Sequence, residues 1–474
     1  MNLKLMNDKP KDGMPAHGEN APKLFTVGTL SYTKQGLYIL FFWLMWNDFT
    51  IMMMEAVAGV NNLTLVKMGA SYTFIALLGS IAAFMGLWIN PTFSTWSDRT
   101  RTRFGRRRPF LMIAAPMFAI TLIAVPYAPD LYHALMNYGP TATLLKRFPA
   151  FNIPGRGEIF FFGGGCIANA LCNAVVLSLF SYYYWDVVPG SVLGRFQAMA
   201  RVVTSMSLLV WNFYIFGLAE HHLKEVYLGV SMFCLAIYLL SVWNVKEGEY
   251  PPPEPRARKG FIEPIRAYFT DCFSKPYYLW IFVGSMVSQV GNLGNNYMTY
   301  YLITDLKLSY KDVGWVTGMG QSFSMTFGIL LGFAVGSLVD RLQPLRVLPI
   351  IILVRAALLA VGFFVVRDKM TAMIIYTLNE GLLVFLLSVA IGAATVQMFP
   401  LEKLGQFCSA QSFFCQTLFL VINPLVGHFF DWIHFNRFSY AWGSIFQTLA
   451  GLIYIKVYLN WKRQHQPVPK VMLA

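Results

Sequence analysis

Two carboxylates stand where apolar side chains dominate. Asp48 follows Leu44-Met45-Trp46-Asn47, and Glu55 comes seven residues later. On one helix that spacing is close to two turns, so both acids share a face and lie about 10 Å apart along the axis. A charge inside hydrocarbon costs about 2.5–3.5 kcal/mol, so each such acid needs a reason to be there. Loss of water favours the neutral carboxyl, which can then load and release a proton. Asp48 is read as a proton or substrate site, with structural hydrogen bonding as the alternative. Glu55, nearer the outer surface, is read as a second proton site. Later in the chain, Gln289, Asn292, Asn296 and Tyr300 recur at helical spacing and form one polar face. Amides both donate and accept, which suits sugar hydroxyls. Tyr297, Tyr300 and Tyr301 add ring faces for sugar C–H surfaces. Asn169 and Asn173, one turn apart, and Gln416 with Ser412 and Asn423, fit a cavity wall or interhelical hydrogen bonding equally well.

Other polar residues are less productive. Arg355 and Glu380 also fall inside apolar runs. Their estimated depths differ by more than a turn, so no pair is expected and Arg355 should snorkel inward. His221, His222, His428 and His434 sit near helix ends without clustered partners. The six cysteines form no CxxC spacing. No nucleophile–base or metal constellation is visible, so an enzyme, a resident metal and a cofactor are not expected.

A second kind of chemistry is electrostatic. Asp98-Arg-Thr-Arg-Thr-Arg-Phe-Gly-Arg-Arg-Arg-Pro109-Phe110 sets six arginines and one acid beside a helix end. The arginines suit an anionic inner membrane surface. Asp98 can neutralise its neighbours or the positive end of a facing helix. Gly336-Ser-Leu-Val-Asp340-Arg341 repeats the arrangement, and Asp98 with Arg99 corresponds to Asp340 with Arg341. A second repeated pair reads P-x4-G-x-F. It spans Pro189 to Phe196, including Arg195, and again Pro400 to Phe407. The predicted role of these segments is a latch between helices that holds one state and breaks in another.

The elements that position these groups follow from the apolar runs. Among 474 residues, 56% are hydrophobic, 13% charged and 40 are Phe. A soluble core could not hide that surface. Twelve runs are long enough to span a bilayer: about 35–58, 70–96, 108–128, 159–185, 196–218, 224–244, 277–303, 313–338, 345–366, 371–398, 406–430 and 438–460. The net charge of +14 sits in short clusters between runs, chiefly 99–108 and 246–275. That is the pattern of cytoplasmic loops and not of a nucleic-acid surface, and it places both termini inside. The first 34 residues lack the apolar core of a cleaved signal peptide. The expected organisation is an inner tail (1–34), a six-helix bundle (35–244), an inner linker (245–276), a second six-helix bundle (277–460) and a tail (461–474). Prolines 251–253 and 255 stiffen the linker, and 259–274 has the spacing of an amphipathic surface helix. The repeat offsets differ, which places an insertion in a long outer loop over 127–158.

The loop run resembles the signature of the major facilitator superfamily, G-x3-D-R-x-G-R-R. More narrowly, D-R-T-x-T-x-F-G-R-R-R-P-F resembles the glycoside–pentoside–hexuronide:cation symporters and the related sucrose transporters. Ser94 stands where the first-half pattern has Gly. The resemblance implies an all-α fold of two six-helix bundles and cation-driven uptake of a glycoside by alternating access. Sodium-coupled members carry two acids on the second helix, and the corresponding positions here are Gly86 and Asn90. The sucrose-transporter branch uses protons and carries an acid near the inner end of the fourth helix, where Asp186 stands. Asn296-x3-Tyr300-Tyr301 is similar to the seventh helix of sugar porters. The expectation is a proton-coupled glycoside or disaccharide symporter, multi-pass in the cell membrane, monomeric and without a cofactor. A facilitator or exporter of another polar solute is the alternative, and a transport-dead receptor or membrane enzyme a minor one.

Overall fold

The computed structural model describes residues 24–464 apart from 149–150, 152, 154, 249–269, 271 and 401–402. A short hairpin, β1 (Phe25–Val27) with β2 (Leu30–Tyr32), precedes the helices. Twelve long helices follow. The first six are α1 (Lys34–Lys67), α2 (Tyr72–Arg99), α3 (Arg108–Asn137), α4 (Arg156–Val187), α5 (Leu193–Val210) and α6 (Leu223–Asn244). The others are α7 (Pro276–Tyr300), α8 (Tyr310–Arg341), α9 (Pro344–Val365), α10 (Lys369–Met398), α11 (Leu404–Ile433) and α12 (Phe438–Gln464).

Local chemistry sets the helix starts. Thr33 and Ser71 cap α1 and α2 by accepting from Gly36 and Phe74, each at 3.2 Å. Asp368 and Thr371 form a capping box on α10. Proline begins α7 and α9 and stands second in α3, where its missing N–H costs nothing.

Ten of these helices are long and apolar enough to cross a membrane on hydropathy alone. The other two, α7 and α12, carry polar faces that meet one another. Large apolar side chains such as Ile113, Ile120, Phe364 and Leu449 point outward, as a lipid-facing belt requires. The first six helices pack among themselves and so do the last six. The two groups meet through α2 against α11 and α5 against α8. This is the expected all-α architecture.

Several boundaries differ from expectation. Helix α1 continues nine residues past 58. Its polar Asn61 accepts from the Tyr227 hydroxyl at 2.6 Å, and Thr64 donates to the Val60 carbonyl at 2.9 Å. The midpoint of α1 therefore falls between Asp48 and Glu55. The outer segment 127–158 is mostly helix: α3 runs to Asn137, and a short helix, Gly139–Leu145, follows. The amphipathic helix expected over 259–274 lies outside the described residues except near its end. Wide π turns interrupt or end α5 (Trp211–Ile215), α7 (Tyr301–Asp305) and α10 (Thr377–Leu383). Such turns often mark functional positions.

Candidate functional site

At the inner face the arginine run folds onto three acids. Arg107 donates to Asp98 from Nη2 at 2.6 Å and to Asp186 from Nε at 2.7 Å. Arg106 donates from Nε to Asp186 at 3.0 Å and lies 3.5 Å from Asp98. Asp186 thus ends α4 in an ion cluster with α2 and the start of α3. The third acid, Glu247, was not singled out in the sequence. It accepts from the backbone N–H groups of Arg106, Arg107 and Arg108 at 2.8, 3.0 and 2.8 Å. These are donors that the start of α3 would leave unpaired, at the positive end of the helix dipole. Burial pushes the Glu247 carboxyl above its ordinary value, although the three N–H donors pull it down. Gly105 makes the approach possible. Its φ is +111°, and a Cβ there would sit 2.8 Å from the Glu247 carboxyl. Arg99, Arg195 and Arg341 are exposed. A Cβ on Gly336 would meet nothing within 4 Å, so that glycine is not packed here. Of Asp340 only the backbone, in α8, is described.

The outer face is closed differently. Asp431, near the end of α11, accepts from the backbone N–H groups of Tyr72 and Thr73, each at 2.7 Å, and from the Thr73 hydroxyl at 2.6 Å. Glu220, beyond α5, accepts from the Tyr310 N–H at 2.9 Å. Each acid caps the first turn of a helix in the other half. Deeper in, Asn423 donates to the Ala76 carbonyl at 2.7 Å. Tyr72 stacks on Tyr300, and Tyr297 stacks on Phe430. Toward the inner ends, a Cβ on Gly86, Gly332 or Gly336 would meet nothing within 4 Å.

Beneath the outer closure lies a cavity of about 280 Å³, just under the usual range for small-molecule sites. Its wall includes Gly59 and Asn62 of α1, Asn212 of the α5 π turn, Asn296 and Tyr300 of α7, and Gln321 of α8. Gln289, Asn292 and Asn296 are exposed along one face of α7, whereas Tyr300 is buried in the closure. Gln416 is exposed on α11, and Glu55 is exposed one turn from Gly59. Asn62, Asn212, Gln321 and Tyr376 also line the cavity but were not singled out beforehand. Isolated amides on otherwise apolar helices carry little signal of their own.

The structure chooses between the two readings of Asn169 and corrects that of Arg355. Asn169 does not reach the cavity: it is buried and donates to Thr121 at 3.2 Å and to the Phe118 carbonyl at 3.5 Å, joining α4 to α3. Asn173 Oδ1 is buried without a hydrogen-bond partner. The outer end of the α7 stripe, Asn296 with Tyr300, lines the cavity together with Ala56, Gly59 and Asn62 of α1, and Asp48 is not part of that wall. Arg355 does not snorkel. It is 2% exposed and pairs with Glu380 at 3.0 Å, while donating to Asn379 at 2.9 Å and Asn292 at 2.7 Å. Helices α9 and α10 share the outer turn at 366–368, and both charges lie about ten residues from it, at one depth.

Asp48 is 8% exposed. Its Oδ2 and the Tyr184 hydroxyl are both buried and lie within interaction range of each other, without a well-formed hydrogen bond between them. Next to it, Asn47 donates to Ser241 at 2.7 Å. A lone acid among tyrosines, about three helical turns along α1 from the amide-lined cavity, can hold a proton.

Two helical halves that meet through reciprocal helix caps on one face, over a cavity between them, have the organisation of a carrier of the alternating-access kind. The sequence profile of the Major Facilitator Superfamily matches residues 24–424. The chain belongs to that superfamily and is a secondary transporter, not an enzyme. Short stretches resemble curated relatives. A sucrose transport protein, SUC3 of Arabidopsis thaliana, is 29% identical over 68 residues, 14% of this chain and 11% of that protein. Sucrose transport protein SUT4 of Oryza sativa subsp. indica is 40% identical over 68 residues, again 14% and 11%. The human proton-associated sugar transporter A is 39% identical over 51 residues, 11% and 7%. The matches thus span about a tenth of these relatives. Among solved structures, a bacterial homologue of the human lysosomal transporter Spinster, inward-facing and unoccupied, aligns with TM-score 0.63 and 12% identity over 92% of this chain and all of that one. A bacterial ferroportin homologue in the inward-facing state aligns with TM-score 0.61 and 11% identity over 89% and 99%. At these identities the likeness concerns the fold.

Proposed function

We propose that the chain is a proton-coupled symporter of a sugar, a glycoside or disaccharide, working by alternating access as a monomer in the cell membrane. One observation carries the coupling: Asp48 is a buried acid with an unsatisfied oxygen on α1, the helix that supplies Gly59 and Asn62 to the cavity wall. The amide face of α7 supports a polyhydroxylated substrate, and the short matches to sucrose and proton-associated sugar transporters agree with it. Asp186 is engaged by two arginines and belongs with the inner latch, together with Asp98. The experiment is uptake of labelled mono- and disaccharides into proteoliposomes under an imposed pH gradient. Concentration of a sugar that a protonophore abolishes is the expected result. Uptake of no sugar, or accumulation indifferent to the gradient, defeats the reading.

A second reading, uncoupled facilitation or export of another polar solute, draws on the position of Asp48. The α1 residues on the cavity wall are Ala56, Gly59, Asn62 and Leu63, not the acid itself. Equilibration without accumulation would favour it.

A further inference from the structure

We propose that Arg355 is a positioning residue that locks the Asn292 amide, so that this point of the exposed α7 face, one turn from Asn296, offers the substrate a hydrogen-bond donor and no acceptor. The inference rests on the reading of the α7 face as the sugar site. Arg355 Nη1 donates to Asn292 Oδ1 at 2.7 Å, and Gln447 Nε2 donates to the same oxygen at 3.0 Å. A guanidinium has no acceptor, so the atom facing it must be the amide oxygen. Gln447 is held in turn by Ser288, whose hydroxyl donates to Oε1 and whose carbonyl accepts from Nε2, each at 3.1 Å. Both lone pairs of Asn292 Oδ1 are therefore used. Asn292 Nδ2 makes no hydrogen bond among the described residues, and Asn292 is exposed on the face that carries Asn296 into the cavity.

The lock is electrically neutral. Glu380 Oε1 accepts from Arg355 at 3.0 Å, Asn295 at 3.0 Å and Asn379 at 2.9 Å. The guanidinium charge is balanced in place, so the site does not select an anion. A free asparagine could turn over and let its oxygen accept from a hydroxyl. The locked one reads the substrate oxygen as an acceptor only, which distinguishes sugar hydroxyls by the lone pairs they present.

The test uses purified protein in proteoliposomes with tritiated sucrose, maltose and methyl α-glucoside. Uptake of none of them by the wild type overturns the sugar reading and, with it, the lock. With the best-transported sugar, monodeoxy and monodeoxyfluoro analogues then compete for uptake by the wild type, which needs no mutant to fold. Fluorine accepts weakly and cannot donate. One hydroxyl position should tolerate fluorine yet lose affinity about threefold to tenfold when replaced by hydrogen. Asn292→Ala should abolish that discrimination. The neutral pair Arg355→Gln with Glu380→Gln should raise the half-saturation constant by a similar factor at unchanged maximal rate. Adding Asn292→Ala to the pair should change little more, because both act through one amide. If no position prefers fluorine to hydrogen, or if the two effects multiply, Arg355 does not act through Asn292.

Discussion

Asp431 of α11 grips the first turn of α2 through Tyr72 and Thr73, 359 residues away in sequence. Glu220, beyond α5, does the same to the first turn of α8 at Tyr310. Since α2 and α8 occupy equivalent places in the repeat, as do α5 and α11, the outer closure consists of two related carboxylate caps. Each stabilises only the state in which the outer ends touch.

Removing one cap should shift the conformational balance. An acid-to-amide change here removes the favourable charge at the helix N-terminus and turns one of the two accepting oxygens into a donor, together worth about 1 kcal/mol, close to a fivefold change in an equilibrium. Asp431→Asn should raise outer-side labelling of a single cysteine introduced at Gly59 by about that factor, and Asp431→Asn with Glu220→Gln by more. Labelling unchanged in the double variant would mean that packing alone, such as Tyr297 on Phe430, closes the outer face.

Asp48→Asn should abolish accumulation against a gradient but leave exchange of substrate across the membrane. The amide keeps the size of the side chain and cannot cycle a proton. Counterflow and gradient-driven uptake, measured on the same proteoliposomes, separate the two activities. Accumulation retained with a normal pH profile would remove Asp48 from coupling and turn attention to Glu55, which is exposed two turns outward.

Much of this fold was legible because a bilayer demands long apolar helices, and basic clusters mark their inner ends. What escaped was chemistry that joins distant parts of the chain. The polar Asn61, Asn62 and Thr64 looked like a loop, yet Tyr227 and the backbone satisfy Asn61 and Thr64 and the helix continues. Arg355 and Glu380 looked mismatched until the turn between α9 and α10 placed them at one depth. Glu247 gave no signal, since its partners are backbone N–H groups more than a hundred residues earlier. The α7 stripe was readable because helical spacing alone puts Gln289, Asn292 and Asn296 on one face. The partner across from it was not readable, because the length of α1 decides which of its residues reach the cavity.

Glu247 offers a test of the inner latch. Glu247→Ala leaves three backbone donors at the start of α3 without an acceptor and should cost about 1–3 kcal/mol. Glu247→Gln keeps an acceptor and should cost less. Burial raises the Glu247 carboxyl above its ordinary value, so the folded protein holds that proton more tightly than the unfolded chain. Wild-type stability relative to Glu247→Gln should therefore fall as pH rises from the ordinary carboxylate range through the raised value. Thermal unfolding in detergent across that range reads the difference. A difference that grows with pH would show that the N–H donors outweigh burial.

The exposed amides of α7 bear most directly on substrate. Gln289 and Asn296 lie on one face, Asn296 lines the cavity, and neither side chain forms a hydrogen bond among the described residues. Both are thus free to bond a substrate. A lost hydrogen bond should cost about 0.5–1.5 kcal/mol, raising the half-saturation constant roughly threefold to tenfold. Gln289→Ala and Asn296→Ala should each do so with little change in maximal rate. Val283→Ala, on a different face of α7, should leave affinity unchanged. Since the two amides are two turns apart, about 10 Å along the axis, a monosaccharide should feel one substitution and a disaccharide both. Comparing the two variants on glucose and on a disaccharide therefore measures the length of the site as well as its position. Normal affinity in both variants, with protein inserted and folded, would place the sugar elsewhere in the cavity.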